Sequence, residues 1–427
     1  MPFDLTRGAP ANIAIIGGGI AGLACGWALC RHHRVTLYEA ERRFGGHART
    51  VLAGARGDRA VDTGFIVFNY ATYPHLTAMF RDLNVPVEKS DMSFGASLQG
   101  GRLEYALRSG NAIFGQRSNL VDPGFHGMLR DILRFNRQAA DLPVTADMTI
   151  GELLVRLRLG RRFREHYLYP LCGAIWSTPP AGIDAFPAEA LLRFLRNHAL
   201  MAPRGQHQWW TVSGGSTAYL SRLIESLRSH GVEMRPGTPV RSVTRGQDAV
   251  TVRGEGALSE TYDHVIFACH ADQTMALLAD ADPAEIAAFS SIRFQPNRMV
   301  LHRDPRVMPH RRRCWSSWTH RTEAGVTPQQ NVSVSYWMNR LQNIPESDPL
   351  FVTLNPQVQL PDSVIYDEAV FHHPLFDRAA LAAQGVIAGL QGKRRSWFAG
   401  AWLRNGFHED GFASALRVAR QLLPEEV

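Results

Sequence analysis

The sequence predicts an α/β fold in which a parallel, βαβ-wound domain is assembled from separate stretches of chain, with an α+β domain inserted between them. Three observations predict it. An apolar run over residues 13–16 breaks into a glycine-rich turn, a helical run over 23–31 and a second apolar run over 35–38. Strand and helix signals alternate again between residues 209 and 269, after a segment of different character. A last strand and helix close the pattern over 397–423. Strands alternating with helices in this way wind a parallel sheet. A chain of 427 residues is also long enough for two substantial cores.

The first turn carries the chemistry. Ile13-Ala14-Ile15-Ile16 runs into Gly17-Gly18-Gly19-Ile20-Ala21-Gly22, a G-x-G-x-x-G between strand and helix. Gly17 permits the tight turn, Gly19 lets a pyrophosphate approach the backbone, and Gly22 lets helix and strand pack closely. The helix N-terminus presents free N–H groups and partial positive charge to the phosphates. Glu39 stands 22 residues after Gly17, where a carboxylate can bond both ribose hydroxyls and would repel a 2′-phosphate. Glycine turns alone are common; strand, helix and acid at this spacing favour a dinucleotide cradle over a structural turn. A second glycine pair, Gly45-Gly46, follows with His47, Arg49 and Thr50, and a nicotinamide dehydrogenase has no use for it.

Apolar content of 45% and charged content of 20% describe an ordinary globular protein. Five scattered cysteines (Cys25, Cys30, Cys172, Cys269, Cys314) have no metal-ligand spacing and read as thiols in a reducing cytoplasm. No signal peptide is visible, and no run reaches the roughly 18 apolar residues a spanning helix needs. A cytoplasmic protein is expected, with a peripheral position at the inner membrane as an option. The net charge is +7, and Lys89 and Lys393 are the only lysines. Basic clusters at Arg161-Arg162, Arg311-Arg312-Arg313 and Lys393-Arg394-Arg395 read equally as solvated faces or as contacts for an anionic phospholipid surface. No nucleic-acid-binding motif accompanies the charge, so nucleic acid is not expected as a partner.

Along the chain, residues 60–69 mix turn and strand signals. Helices are expected over 126–139 and 150–159, the second with Thr149 and Glu152 at capping-box spacing. Residues 173–180 read as an apolar loop carrying Trp176, either a pocket wall or a packed interdomain loop. Ser216 is expected to N-cap a helix over 217–230. Short strands follow at 232–235, 240–243, 250–252 and 265–269; His264 and His270 beside the last are read as structural. Between 272 and 390 strands are expected at 299–302, 332–337 and 363–370. Dense aromatics (Trp315, Trp318, Tyr336, Trp337, Phe371) lie with His302, His320 and Asn339 there, as core or as a lined cavity.

The Gly45-to-Thr50 stretch resembles the FAD-binding N-terminus of the flavin amine oxidase superfamily (monoamine oxidases, protoporphyrinogen oxidase, carotenoid desaturases), whose pattern is GG-R-x-x-[S/T]. His47 stands where that pattern has Arg, and the resemblance leaves Arg49 as the phosphate contact. It implies FAD and an amine oxidase-like fold, a discontinuous Rossmann-like FAD-binding domain with an inserted α+β substrate domain. The FAD-binding parts would be 1–70, 206–271 and 391–427, the substrate parts 71–205 and 272–390. It also implies that Gly64 and Phe65 pass the flavin ring and that Val240 pairs with adenine. Gly400 and the run Gly406-Phe407-His408-Glu409-Asp410-Gly411-Phe412 would aim the last helix at the flavin N1–C2=O edge, with Asp410 as N-cap. Ala401 stands where an acidic residue is common.

Several segments together, among them Ala174 to Thr178, Trp210 to Ser216, Tyr336 to Asn339 and Gly406 to Gly411, resemble one bacterial group within the superfamily. These are predicted NAD/FAD-binding oxidoreductases associated with cyclopropane-fatty-acid-synthase-like methyltransferases. The resemblance implies hydride removal from an activated C–H of a lipid-like substrate, an unsaturated or methylated acyl chain. The alternatives are a redox-neutral double-bond isomerase, a polyene desaturase, an amine oxidase, or a flavin-binding partner of a lipid methyltransferase. His408 and Glu409 stand nearest the ring by motif position, as candidate bases or as residues that only order the loop. Neither lysine is placed to act at flavin N5, and no Cys lies near the C-terminal motif, so FAD is expected to be non-covalent. No second G-x-G-x-x-G provides for a nicotinamide, so electrons would leave to oxygen, a quinone or a carrier.

Overall fold

A computed structural model describes residues 10–139, 142, 145, 148–176, 180–197, 207–325 and 332–423. Its centre is a five-stranded sheet in the order Ser396–Phe398, His264–Phe267, Asn12–Ile16, Arg34–Tyr38, Glu233–Arg235, parallel throughout. Three widely separated stretches of chain thus share one sheet. The middle strand is apolar on both faces because both are covered, as parallel sheets require. The helix Ile20–Leu29 lies on one face and packs along the last helix, His408–Leu422. Leu23, Leu37, Leu223 and Phe412 join that core, each side chain contributing about 1.5–3 kcal/mol by leaving water. An antiparallel sheet of Val240–Arg245, Val250–Gly254 and Ser259–Tyr262 lies against the other face.

The second body is a seven-stranded sheet in the order Ile365–Pro374, Phe294–His302, Phe351–Leu354, Ser333–Trp337, Trp318–Arg321, Phe94–Leu98, Leu103–Ala106. Every neighbouring pair is antiparallel except Trp318–Arg321 with Phe94–Leu98. Helices Pro123–Gln138, Ile150–Arg156, Tyr169–Trp176 and Ala188–Asn197 share a core that includes Phe125, Leu153 and Leu191. Thr149 and Glu152 form the expected capping box, with reciprocal bonds of 3.2 and 2.8 Å.

Two local expectations are corrected. Residues 173–176 belong to the helix Tyr169–Trp176 and Pro180 opens the helix Pro180–Ile183, where residues 173–180 read as a loop, and Trp176 packs against Phe186 and Phe194. Apolar residues without polar alternation look the same in a buried helix as in a buried loop. Ser177, Thr178 and Pro179 fall outside the described residues. Ser216 is the first residue of its helix, Ser216–Ser229, rather than the cap; Gly215, at φ +81°, is the cap. The capping acceptor comes from far along the chain: Asp62 accepts from the Ser216 N–H at 2.8 Å. The Ser216 hydroxyl is freed to donate to the Phe65 carbonyl at 3.1 Å.

Candidate functional site

The glycine turn closes backbone on backbone. Gly17 takes φ +111°, and a Cβ on Gly22 would lie 1.8 Å from the Gly17 carbonyl oxygen, so neither position admits a side chain. A Cβ on Gly19 would meet nothing within 4 Å. The second glycine pair bounds this open space, the Gly45 N–H donating to the Gly18 carbonyl at 2.8 Å. Gly46 comes so close to Gly19 that a Cβ there would stand 3.3 Å from the Gly19 Cα. Ile20 and Ala21 point into the core behind the turn. Glu39 accepts from the Gly18 N–H at 2.7 Å and from the Glu41 N–H at 2.8 Å. Burial raises its pKa against these bonds. Val240 opens its strand, half-buried against the core beside Tyr38.

His47 lies deep in the protein, and its Nε2 has no hydrogen-bond partner. Its ring stands 4.9 Å from Phe371, 5.7 Å from His373 and 6.0 Å from His270. Burial, and then the neighbouring His270, Arg43 and His372, lower its pKa to about 4, so it is neutral at physiological pH. The Arg49 guanidinium is committed elsewhere: it donates to both carboxylate oxygens of Asp367, at 2.5 and 2.9 Å. Arg43 holds the glycine loop from behind, donating to the Gly46 carbonyl at 3.0 Å.

Gly64 passes so near His47 that a Cβ would fall 2.0 Å from the His47 carbonyl oxygen, and the Phe65 N–H donates to that oxygen at 2.9 Å. Phe65 stacks on His408, centroids 3.9 Å apart at 11°. His408 Nε2 is bonded to the Tyr219 hydroxyl at 2.8 Å. Burial drives the His408 pKa down to about 3, with a smaller contribution from His47. An imidazole titrating near neutrality, as its usual pKa suggests, is therefore not what the fold makes of it.

Glu409 faces away from this cluster. Its carboxylate accepts from the His75 and Leu76 N–H groups at 2.9 and 3.0 Å, capping the helix Pro74–Asp82. Asp410 is not the N-cap of the last helix. Phe407 is, and Asp410 reaches back from the third position to accept from the Phe407 N–H at 3.0 Å. Sequence reasoning favours the acid as cap because Phe offers no oxygen; here the carboxylate serves the same N-terminus from inside the first turn. The Gly400 N–H donates to Ser414 Oγ at 2.8 Å, and Gly411 packs on Ile20, so the last helix begins beside the glycine turn. Phe412 turns into the core against Trp27 and His75.

His47, His270, His373 and His408 lie deep in the molecule, yet each keeps accessible surface. Each therefore borders space that protein atoms leave open. That space, the open face of Gly19, the carboxylate of Glu39 and the orphaned His47 Nε2 fit a flavin dinucleotide laid from the first turn to the start of the last helix. Arg43, Tyr219 and His373 belong to this surround and are missed by sequence reasoning, and His270, read there as structural, stands with them. No periodicity or spacing marks them, because tertiary packing alone brings them there.

The family profile described as flavin containing amine oxidoreductase matches residues 20–348. The chain belongs to this family. It is a flavin-dependent oxidoreductase with FAD as cofactor. No curated protein matches the sequence. Solved structures share the fold at low identity. A fatty acid isomerase from P. acnes that produces CLA superposes with TM-score 0.69 at 16% identity, over 97% of this chain and 99% of its own. A putative protoporphyrinogen oxidase from Exiguobacterium sp. 255-15 gives 0.70 at 17%, over 96% and 98%. Cyclohexylamine oxidase from Brevibacterium oxydans IH-35A gives 0.67 at 15%, over 97% and 99%. No helix among the described residues is long and apolar enough to cross a membrane, and no group of three or more His, Cys, Asp or Glu is placed to hold a metal.

Proposed function

We propose that this flavoenzyme dehydrogenates an apolar, lipid-like substrate, removing a hydride and a proton from an unsaturated or methylated acyl chain. Bound FAD would accept the hydride, the proton would leave to solvent, and oxygen, a quinone or a carrier would take the electrons onward. The carrying observation is the wall opposite the glycine turn. Register places Met299, Leu301, Val352, Leu354, Val334, Tyr336, Trp318 and Ala96 on one face of the seven-stranded sheet. Phe371 and His373, on the same face, meet His47. The acid on this face, Asp367, is neutralised by Arg49, and the histidines are neutral. Met299, Leu301, Val352, Val334 and Ala96 are packed core beneath this face, while Trp318, Tyr336 and His373 keep accessible surface; such a face favours a hydrocarbon and offers a charged amine no counter-ion.

His408 is too weak a base to take the substrate proton in bulk, so its role is to hold a hydrogen bond beside the reacting edge. The bond between the Tyr219 hydroxyl and Nε2 fixes the orientation of the ring. Both lysines are exposed, which keeps an ammonium away from this wall. The test is anaerobic titration of the holoenzyme with an unsaturated or methylated acyl substrate. Loss of visible flavin absorbance together with desaturated product supports the reading. Product formed without bleaching assigns a double-bond isomerase, and bleaching by amines alone overturns the lipid assignment.

The same substrate class accounts for an exposed basic and aliphatic face. The helix Pro123–Gln138 turns Arg130, Leu133, Arg134 and Arg137 to solvent at spacings that share one face. Arg134 donates to the Arg158 carbonyl at 3.2 Å, which brings exposed Val155 into the neighbourhood, and exposed Leu120 and Val121 precede the helix. Aliphatic side chains among arginines suit the headgroup region of an anionic lipid surface.

A further inference from the structure

The same sheet face carries a second set of polar groups, away from Asp367 and His373. Trp318 and Tyr336 stand directly opposite each other on neighbouring strands, their rings edge to face with centroids 5.3 Å apart. His320, two residues along, shares their face between Val334 and Ala96. Trp318 Nε1 and His320 Nδ1 are buried and have no hydrogen-bond partner. Tyr336 lies deep in the protein but keeps accessible surface, and burial raises its pKa, so its hydroxyl stays protonated. Trp318 and Tyr336 pack against two hydrophobic clusters, one that includes Ile66, Val67, Leu301 and Val352 and one of Ala174, Val332 and Val334.

We propose that Trp318, His320 and Tyr336 form a hydrogen-bonding subsite that takes an uncharged oxygen, the ester carbonyl of an acyl chain. The inference rests on the lipid reading above and narrows it. A buried donor without a partner costs about 1–3 kcal/mol, a cost that an acceptor oxygen on the substrate removes. An indole offers only N–H, a protonated phenol and a neutral imidazole each add one hydrogen, and burial holds His320 neutral by lowering its pKa to about 4. The residues beside them on this face, Ala96, Val334, Val352 and Leu354, carry no charge. A carboxylate would leave water there without a cation, at a cost of several kcal/mol, and an ammonium would meet donors where it needs acceptors. An ester carbonyl meets neither penalty.

The experiment compares a fatty acyl methyl ester, the free acid and the alkane of equal chain length on the holoenzyme at neutral pH. Dissociation constants are read from the flavin difference spectrum. The ester is expected to bind roughly tenfold or more tightly than the alkane, one net hydrogen bond being worth about 1 kcal/mol and two being available. Trp318→Phe and Tyr336→Phe should each weaken ester binding about five- to tenfold and leave the alkane within about twofold. Tyr336→Phe deletes a single oxygen, so the fold survives, and an unchanged flavin spectrum verifies it. Equal effects of the substitutions on ester and alkane, or tighter binding of the free acid than of the ester, overturn the subsite while leaving the lipid reading intact. Failure of all three chains beside binding of an amine removes both.

Discussion

At the scale of the residue, His408 decides how the site handles protons. Burial against Phe65 lowers its pKa to about 3, so the ring stays neutral through the whole range in which the enzyme is handled. His408→Ala is expected to retain FAD, since the cradle is backbone and Glu39, while turnover falls by at least about tenfold through loss of a positioned hydrogen bond. The FAD-to-protein absorbance ratio and steady-state rates test both halves. The rate profile should show no ionisation near pH 6.5 that disappears in His408→Gln; one that did would mean the histidine titrates freely. Gly64→Ala is a sharper case. Its Cβ would fall 2.0 Å from the His47 carbonyl oxygen, where only backbone can yield, so the variant should purify largely without flavin.

At the scale of the element, helix ends are served by residues distant in sequence. Glu409 caps Pro74–Asp82 and Asp62 caps Ser216–Ser229, so each carboxylate ties two elements that meet near the cradle. Glu409→Ala is expected to cost about 1–2 kcal/mol, a lowering of the melting temperature by a few degrees, with FAD still bound. A flavin-binding defect without loss of stability would instead place Glu409 in the chemistry. This is also where legibility in the sequence divides. The strand, glycine turn, helix and acid at Glu39 follow local rules, and their spacing suffices to read them. The capping box at Thr149 and Glu152 is likewise local. Ser216 is misread as a cap because a cap is predicted from the nearest side chain and the fold supplies one from Asp62, whereas Asp410 serves its helix from the third position rather than the first. The Arg49 partner, Asp367, lies on the far sheet, and no local pattern could reveal that the guanidinium is already engaged. The histidine surround is silent for the same reason: His47, His270 and His373 come from three different elements.

At the scale of the whole molecule, burial of these histidines sets the response to acid. Six of them, His47, His270, His302, His320, His373 and His408, are lowered to about 3 or 4. Between their unfolded pKa near 6.5 and those folded values the unfolded chain binds more protons, so stability falls as pH drops through this window. Four acids, Asp62, Glu409, Asp410 and, to a lesser extent, half-buried Glu39, act in the opposite sense. Asp62 and Glu409 are raised to about 7 and Asp410 to about 6, and below those values the folded state is the one that holds the extra proton. Six histidines lowered to about 3 or 4 outweigh the four raised acids. The melting temperature should therefore decline steadily from about pH 6.5 to pH 4.5; a rise on acidification would mean that the carboxylates dominate. The same window separates stability from surface binding, because the arginines on the exposed face stay charged throughout. At fixed neutral pH, sedimentation with anionic vesicles should exceed that with zwitterionic ones and fall with salt. Leu133→Asp together with Val155→Asp should abolish it without altering the flavin spectrum, since both side chains face solvent. Equal binding to both kinds of vesicle, or binding untouched by the double substitution, would assign the basic face to simple solvation.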